Sequence, residues 1–111
     1  RSDSVLSFYK ELIALRKAPE YVETFTYGTF AAAYEDVDHM FAYYRTNEET
    51  GQRILIAGNF GTDTVTLPLK KQADRVLLTN GKAVDEILNG NRESTSLVLG
   101  SCDCVVLLLG Q

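Results

Sequence analysis

The feature that most constrains the fold is an unbroken apolar run at residues 54–57, in the second half of a predicted hairpin. Residues 40–46 are aromatic and rich in β-forming side chains, residues 47–52 are polar and contain a glycine, and residues 53–60 are mainly apolar. Two strand patterns around a short polar segment are typical of an antiparallel hairpin. Because successive side chains of a strand point to opposite faces, consecutive apolar residues need cover on both sides. The sequence therefore predicts a hairpin in the middle of a sheet, with a layer packed on each face.

Further strand patterns recur at short spacing along the rest of the chain. They cover residues 27–34, 64–67, 75–79, 94–99 and 104–109. The last two are expected to pair as a final hairpin around Gly100 and Ser101, and the last of all is apolar enough to need cover on both faces. Residues 21–25 are expected to be an irregular or extended connector, and residues 82–92 to contain at most one helical turn. About seven short strands after one helix predict a mainly β fold, an antiparallel β-sandwich with Greek-key links preceded by one N-terminal α-helix.

The sequence of the first segment predicts a helix. The apolar surface of this helix is wider than packing on one sheet requires. Ser2 or Asp3 is a suitable N-cap. Pro19 stops the helix after the basic pair Arg16 and Lys17. A helix that is apolar over most of its circumference is packed on two sides, so one side can rest on this domain's sheet and the other predicts a neighbour outside these residues. The residues predicted to contact that neighbour are Val5, Phe8, Tyr9, Leu12 and Leu15.

Composition and charge exclude several classes of protein. The chain has 111 residues, enough for one domain with a single core, and its 45% hydrophobic content is too high for a disordered segment. A formal net charge of −4 argues against nucleic acid or an anionic membrane as a partner. No apolar run approaches the roughly 20 residues needed to cross a bilayer, and no signal peptide is recognisable. The abrupt start at Arg1 is expected to be a cut from a longer protein.

The two cysteines do not predict a disulfide or a metal site. Cys102 and Cys104 are two positions apart on an apparent strand, where a disulfide between them would be badly strained. Reduced thiols favour a cytoplasmic location. Because His39 is the only histidine and there is no third cysteine, a metal site lacks ligands, and neither a metal nor another cofactor is expected.

No constellation of catalytic residues is visible in the sequence. His39 lies beside Asp38 in an acidic turn, and this position is more typical of an exposed histidine than of a catalytic triad. The segment 58–61 is glycine-containing but lacks the lysine and the helix of a phosphate-binding loop. The carboxylate pairs at 48–49 and 85–86 are neighbours in polar turns, whereas glycoside hydrolysis needs two carboxyl groups facing each other across a cleft. The chain is therefore expected to have no catalytic residues.

Several segments, in order, resemble one family. Residues 3–17, DSVLSFYKELIALRK, are similar to the last barrel helix of α-amylase-superfamily glycoside hydrolases, in which the form SVL-x-FY-x-x-LI-x-LRK is typical. The segments that continue the resemblance are YGTF at 27–30, FAYYR at 41–45, LIAGNF at 55–60 and LP at 67–68. Within the superfamily, the sequence most resembles the group of oligo-1,6-glucosidases, α-glucosidases, dextran glucosidases and trehalose-6-phosphate hydrolases. Residues 97–106 depart from the family, because the aromatic residue expected before the last strand is missing.

This resemblance implies a structural role within a larger bacterial enzyme of the cytoplasm. Residues 1–18 would be the last helix of a missing (β/α)₈ barrel, and residues 19–111 would be a C-terminal β-sandwich of the α-amylase type. In that family the barrel carries the catalytic residues, so none is assigned to this chain. The implied function is to pack against and stabilise a barrel that cleaves α-glucosidic bonds of oligosaccharides. A fragment with a bare apolar helix would also be able to self-associate.

Two other functions remain open from the sequence. One is a carbohydrate-binding module that uses exposed tyrosines such as Tyr21, Tyr27 or Tyr34. The other is a free-standing interaction domain that uses the apolar face of the helix at residues 5–15. A titration with isomaltose and starch, followed by the NMR signals of the tyrosines, distinguishes the binding module from the structural role. A barrel encoded directly upstream of Arg1 would eliminate the free-standing domain.

Overall fold

The computed structural model describes residues 2–69, 73–80 and 96–109. Two helices come first, α1 at Ser2–Leu15 and α2 at Val22–Tyr27. The strands are β1 Thr29–Ala32, β2 Met40–Thr46, β3 Arg53–Asn59, β4 Val65–Pro68, β5 Ala73–Thr79, β6 Ser96–Leu99 and β7 Cys104–Leu109. The sequence prediction for residues 82–92 lies outside the described residues. The mainly β architecture with an N-terminal helix is confirmed.

The strands form two antiparallel sheets. The larger sheet has the order β1-β2-β3-β7-β5, and the smaller one pairs β4 with β6. The predicted hairpin is β2 and β3, paired without a register break from Met40 opposite Asn59 to Thr46 opposite Arg53. Strand β3 is the middle strand of the large sheet, because its other edge pairs with β7. The prediction of a central hairpin is therefore confirmed.

The large sheet separates two hydrophobic cores, and alternate residues of β3 belong to different ones. Leu55 and Ala57 point to the sandwich core, which lies between the two sheets and includes buried leucines of β4 and β6. Ile54 and Ile56 point to the helical core, which includes Phe8 and other residues of the two helices. The apolar strand β7 alternates in the same way. Both strands are thus covered on both faces, as their uninterrupted apolar sequences predict.

The predicted connector at residues 21–25 is wrong, since this region contains the short helix α2. Tyr21 and Phe25, four positions apart, are both buried in the helical core. The hydroxyl of Thr24 donates to the side chain of Gln52, and the N–H of Gly28 donates to the carbonyl of Thr24 at 3.0 Å to end the helix. Burial of one helical face thus overrides the β preference of this β-branched and aromatic segment.

The predicted final hairpin of β6 and β7 is also wrong. Strand β6 pairs with β4 in the small sheet, whereas β7 lies between β3 and β5 in the large one. The turn between them is tight: the N–H of Asp103 donates to the carbonyl of Gly100 at 3.1 Å, and the N–H of Gly100 donates to the Asp103 carboxylate at 2.7 Å. The chain therefore crosses from one layer to the other here, and this crossing joins the two sheets of the sandwich.

Candidate docking surface

Helix α1 has two apolar sides. Phe8 and Leu12 point inward and are buried in the helical core, and Leu15 packs against the same core. Leu6 and Ile13 point away from the sheet, with 56% and 55% of their surface exposed. Tyr9 on the same outer side is also exposed. The outer side is therefore apolar although nothing in the described chain covers it.

The helical side of β1 and β2 carries a second set of exposed rings. Helix α1 lies over β5, at the opposite edge of the sheet. Phe30 of β1 stacks on Tyr43 of β2 with ring centroids 5.0 Å apart, and Phe41 stacks on Phe60 at 5.2 Å. Phe30 and Phe60 are themselves 62% and 47% exposed. This half of the sheet thus presents aromatic rings instead of the polar residues typical of a solvated face.

The exposed apolar side chains are confined to one side of the molecule. In the part of the chain that the structure describes, the large exposed hydrophobic residues are Leu6, Tyr9, Ile13, Tyr27, Phe30 and Phe60. Four of them belong to the helices, Phe30 lies on the helical side of β1, and Phe60 follows β3 and stacks on Phe41. The opposite side of the large sheet is covered by β4 and β6. We call these six residues, with Phe41 and Tyr43, the docking surface. Large exposed apolar residues grouped on one side of a protein are typical of an interaction surface.

The residues predicted to contact a neighbour are divided between the two sides of α1. Tyr9 lies on the docking surface, whereas Phe8 and Leu12 lie in the helical core and Leu15 packs against it. The side chain of Val5 is outside the described set. Contact with a neighbouring domain stays a prediction, and the structure assigns the outward positions to Leu6 and Ile13, which the sequence prediction omitted.

The tyrosines proposed as a sugar-binding platform do not share a surface. Tyr21 is buried in the helical core, and its hydroxyl accepts a hydrogen bond from Arg75. Tyr34 packs against the sandwich core on the other side of the large sheet, and its hydroxyl donates to the carbonyl of Pro68 at 2.5 Å. Tyr27 is 83% exposed. Since only one of the three rings is freely accessible, they do not form a stacking platform.

Within residues 2–69, 73–80 and 96–109, the structure shows no cluster of side chains suited to hold a metal ion. His39 is an exposed turn residue with φ of 62°. Cys102 and Cys104 are free thiols. None of the described helices is long and apolar enough to cross a membrane.

The ionisation of the Cys104 thiol tests whether this residue is buried in the helical core. Burial, with smaller contributions from Asp103 and Cys102, raises the pKa of the Cys104 thiol from 9.0 to about 11. The unfolded thiol therefore ionises first as the pH rises, so the stabilisation is complete below pH 9 and is lost toward pH 11. From the 1.36 kcal/mol that corresponds to each pKa unit, we expect a loss of about 2–3 kcal/mol in the free energy of unfolding over that interval.

The measurement is urea denaturation at several pH values between about 8 and 11. Cys104→Ala should remove this component of the alkaline destabilisation, and Cys102→Ala should retain it. Identical pH profiles for Cys104→Ala and the unchanged chain would contradict the assignment.

Asn59 is a structural residue whose role the sequence prediction did not identify. It lies at the end of β3, and its side chain is fully buried. Its amide nitrogen donates to the carbonyls of Asp63 and Leu99 at 2.8 and 2.9 Å, and its amide oxygen accepts from the N–H of Gly61 at 2.9 Å. Leu99 ends β6, so this side chain joins the two sheets. In the sequence, the feature that could have identified this role is a polar residue at the end of an apolar strand, within the segment LIAGNF.

Comparison with solved structures identifies the fold. An isomaltulose synthase from Protaminobacter rubrum matches 93% of this chain with a TM-score of 0.72 and 22% identity. An isomaltulose synthase from Erwinia rhapontici NX5 matches 93% with a TM-score of 0.73 and 22% identity. The trehalulose synthase from Pseudomonas mesoacidophila MX-45 matches 94% with a TM-score of 0.73 and 19% identity. This chain therefore shares the fold of the matched part of these synthases.

The matches cover a small part of each larger protein. This chain spans 17% of the length of each of these three synthases. No family model matches the chain, and no curated protein sequence does. With identities of 22% or less, the shared property is the fold.

Proposed function

We propose that this chain is the non-catalytic C-terminal domain of an α-amylase-superfamily enzyme and that its docking surface packs against the catalytic barrel of that enzyme. The observation that carries the proposal is the confinement of exposed apolar residues to the helical side. A free domain would leave that side in water, at a cost of roughly 25 cal/mol per Å² of apolar surface. A barrel that covered the outer side of α1 would recover this energy.

Two further observations support a barrel as the partner. The sequence at residues 3–17 resembles the last barrel helix of the superfamily, and α1 presents an apolar outer side as such a helix requires. The structures with the same fold are enzymes in which the matched part is 17% of the chain. In this proposal residues 1–18 belong to the barrel in sequence, and residues 19–111 form the domain that supports it.

The substrate class that we propose is an α-glucoside. The sequence resemblance favours an oligo-1,6-glucosidase or α-glucosidase, whereas the similar structures are isomaltulose and trehalulose synthases, for which sucrose is the substrate. Both groups act on an α-glucosidic bond, so this is the common proposal. The choice between hydrolysis and isomerisation depends on barrel loops, and assays with isomaltose and sucrose would distinguish them.

The direct test has two parts. The reading frame that contains the codon for Arg1 should encode a (β/α)₈ barrel upstream of it, and the resulting protein should convert at least one of isomaltose, p-nitrophenyl α-glucoside and sucrose. The 111-residue chain alone should convert none of them. Turnover by the chain alone, or an upstream sequence that encodes no barrel, would refute the proposal.

Substitution on the outer side of α1 should separate docking from folding. Ile13→Glu places a charge on the docking surface at a residue that is 55% exposed, so the free energy of unfolding of the 111-residue chain should change by no more than about 0.5 kcal/mol. In the barrel-containing protein the same charge would be buried without a partner, and a destabilisation of about 3 kcal/mol or more is expected.

The matched control is Ala31→Glu, which adds the same charge at an exposed position of β1. Its cross-strand partner Tyr44 packs against the sandwich core, so Ala31 lies on the side away from the docking surface. This substitution should have little effect in either protein. Urea denaturation measures both variants in both chain lengths. Equal effects of the two substitutions in the longer protein would contradict docking through this side of α1.

A further inference from the structure

A cleft in the docking surface is lined by two arginines and by aromatic rings. It lies where the end of α1 meets α2 and the helical side of β1 and β2, and its lining residues are Arg16, Phe25, Phe30, Tyr43 and Arg45. A second cleft beside it shares Arg16 and Phe25 and adds Lys17. Neither cleft has a carboxylate among its lining residues, although the chain as a whole has a net charge of −4. This part of the docking surface is thus locally basic on an acidic domain.

The hydrogen-bonding capacity of the two guanidinium groups is only partly used. One terminal nitrogen of Arg45 donates to the carbonyl of Phe25 at 2.7 Å. The Nε–H of Arg45 is buried, and no acceptor contacts it among the residues that the structure describes. Arg16 is exposed just beyond the last residue of α1. A buried donor without an acceptor costs about 1–3 kcal/mol, so the described protein groups leave the Arg45 guanidinium incompletely satisfied.

Both positive charges act on the centre of the cleft. Burial raises the pKa of the Tyr43 hydroxyl, and Arg16 and Arg45 each oppose that increase. The two guanidinium groups are therefore within electrostatic reach of the same hydroxyl. Phe30, stacked on Tyr43, forms the outer wall, so a partner that covered these rings would exclude water from the cleft.

We propose that Arg16 and Arg45 bind one aspartate or glutamate side chain of the catalytic barrel. The planar fork of an arginine matches the two oxygens of a carboxylate, and such pairs are stronger than neutral hydrogen bonds. A carboxylate is favoured over an apolar side chain because two cations would otherwise be desolvated without compensation. This inference rests on the proposed function, and it identifies the polar contact that fixes the orientation of the domain on the barrel.

The first experiment uses the 111-residue chain and acetate as the probe. Sodium acetate is titrated at constant ionic strength against sodium chloride, and the Nε–Hε signals of the arginines are followed by NMR. The Arg45 signal should shift with saturation. Arg16→Gln, a change at an exposed position, should weaken acetate binding about tenfold or more, as expected for the loss of a charged hydrogen bond, whereas Arg53→Gln should leave it unchanged. Arg53 is a suitable control because it lies over the ring of Tyr44, which packs on the opposite side of the sheet.

The second experiment uses the barrel-containing protein. Arg16→Lys retains the charge and allows a carbodiimide to join position 16 to a carboxylate in contact with it, after which mass spectrometry identifies the linked peptides. The expected product joins position 16 to an aspartate or glutamate outside residues 1–111. Arg53→Lys is the control and should give no such link.

The outcomes separate this inference from the proposal on which it rests. If Ile13→Glu destabilises the longer protein but position 16 forms no link to the barrel, docking stands and the carboxylate contact is wrong. If acetate shifts the Arg45 and Arg53 signals equally and without saturation, the cleft does not select a carboxylate and the inference is likewise overturned. An upstream sequence without a barrel would refute both.

Discussion

Phe8→Ala is expected to lower the free energy of unfolding of the 111-residue chain by about 3–5 kcal/mol. Phe8 is fully buried in the helical core, where it packs with Leu12 and with Ile54 and Ile56 of the large sheet. The substitution removes a whole ring between helix and sheet and leaves a cavity that the rigid central strand cannot close. A small domain has a free energy of unfolding of about 5–15 kcal/mol, so this single substitution would remove a large part of it.

Leu6→Ala is the matched control on the same helix. Leu6 is 56% exposed, and its truncation should change the unfolding free energy of this chain by about 0.5 kcal/mol or less. Urea denaturation followed by circular dichroism measures both variants. If Phe8→Ala leaves too little folded protein, Phe8→Leu should still cost roughly 1–2 kcal/mol and keep the comparison measurable. Equal effects at positions 6 and 8 would mean that α1 does not rest on the sheet through Phe8.

The sequence predicted the layered core because a strand that is buried on both faces has consecutive apolar residues. The four successive apolar residues at 54–57 require a packed layer on each face of the strand. The helices form one of these layers, and the small sheet forms the other. The hairpin of β2 and β3 was equally predictable, since its turn is short and its partners are adjacent in sequence. Both features can therefore be recognised from a few neighbouring residues.

The pairing of β6 and β7 was not predictable for the opposite reason. The residues between the strands make a tight turn with Cys102 at φ of 65°, and this local geometry is compatible with a hairpin. The outcome is decided by β3 and β5, which pair with both edges of β7 and leave β6 to pair with β4. The residues near the turn do not indicate which of several distant strands pairs with a given strand edge.

The docking surface was partly predictable. The width of the apolar arc on α1 indicates two contacts, and the structure has one buried and one exposed apolar side. The sequence does not indicate which arc faces the sheet, because Leu6 and Ile13 are as apolar as Phe8 and Leu12. The aromatic rings of β1 and β2 were also ambiguous, since the alternation of β2 predicts its two faces but not that its helical face stays partly open.

Asn59→Ala is expected to destabilise the chain by about 3 kcal/mol, because one truncation removes three hydrogen bonds of a fully buried side chain. The carbonyl of Leu99 loses a donor inside the protein, where the end of β3 meets the end of β6. Alanine lacks the amide group, so it leaves a small cavity and cannot join the sheets. The loss should appear in the urea midpoint with an unchanged m-value, since the same surface unfolds.

Asn47→Ala is the control, since the same side chain is truncated at the surface. The Asn47 oxygen accepts from the N–H groups of Glu49 and Thr50 at 3.0 and 3.3 Å in an exposed turn, where water can replace it. Its loss should cost about 0.5–1 kcal/mol.

Asn59→Asp gives an independent check of the same contacts. An ionised carboxylate cannot donate to the carbonyls of Asp63 and Leu99, whereas a protonated one can donate to one of them. Burial against two carbonyls should raise the folded-state pKa of the introduced carboxyl group above its unfolded value, so this variant should lose stability, relative to the unchanged chain, as the pH rises above about 4. A pH-independent difference between the two proteins, or equal losses for the alanine variants at 47 and 59, would show that the Asn59 amide does not hold the two sheets together.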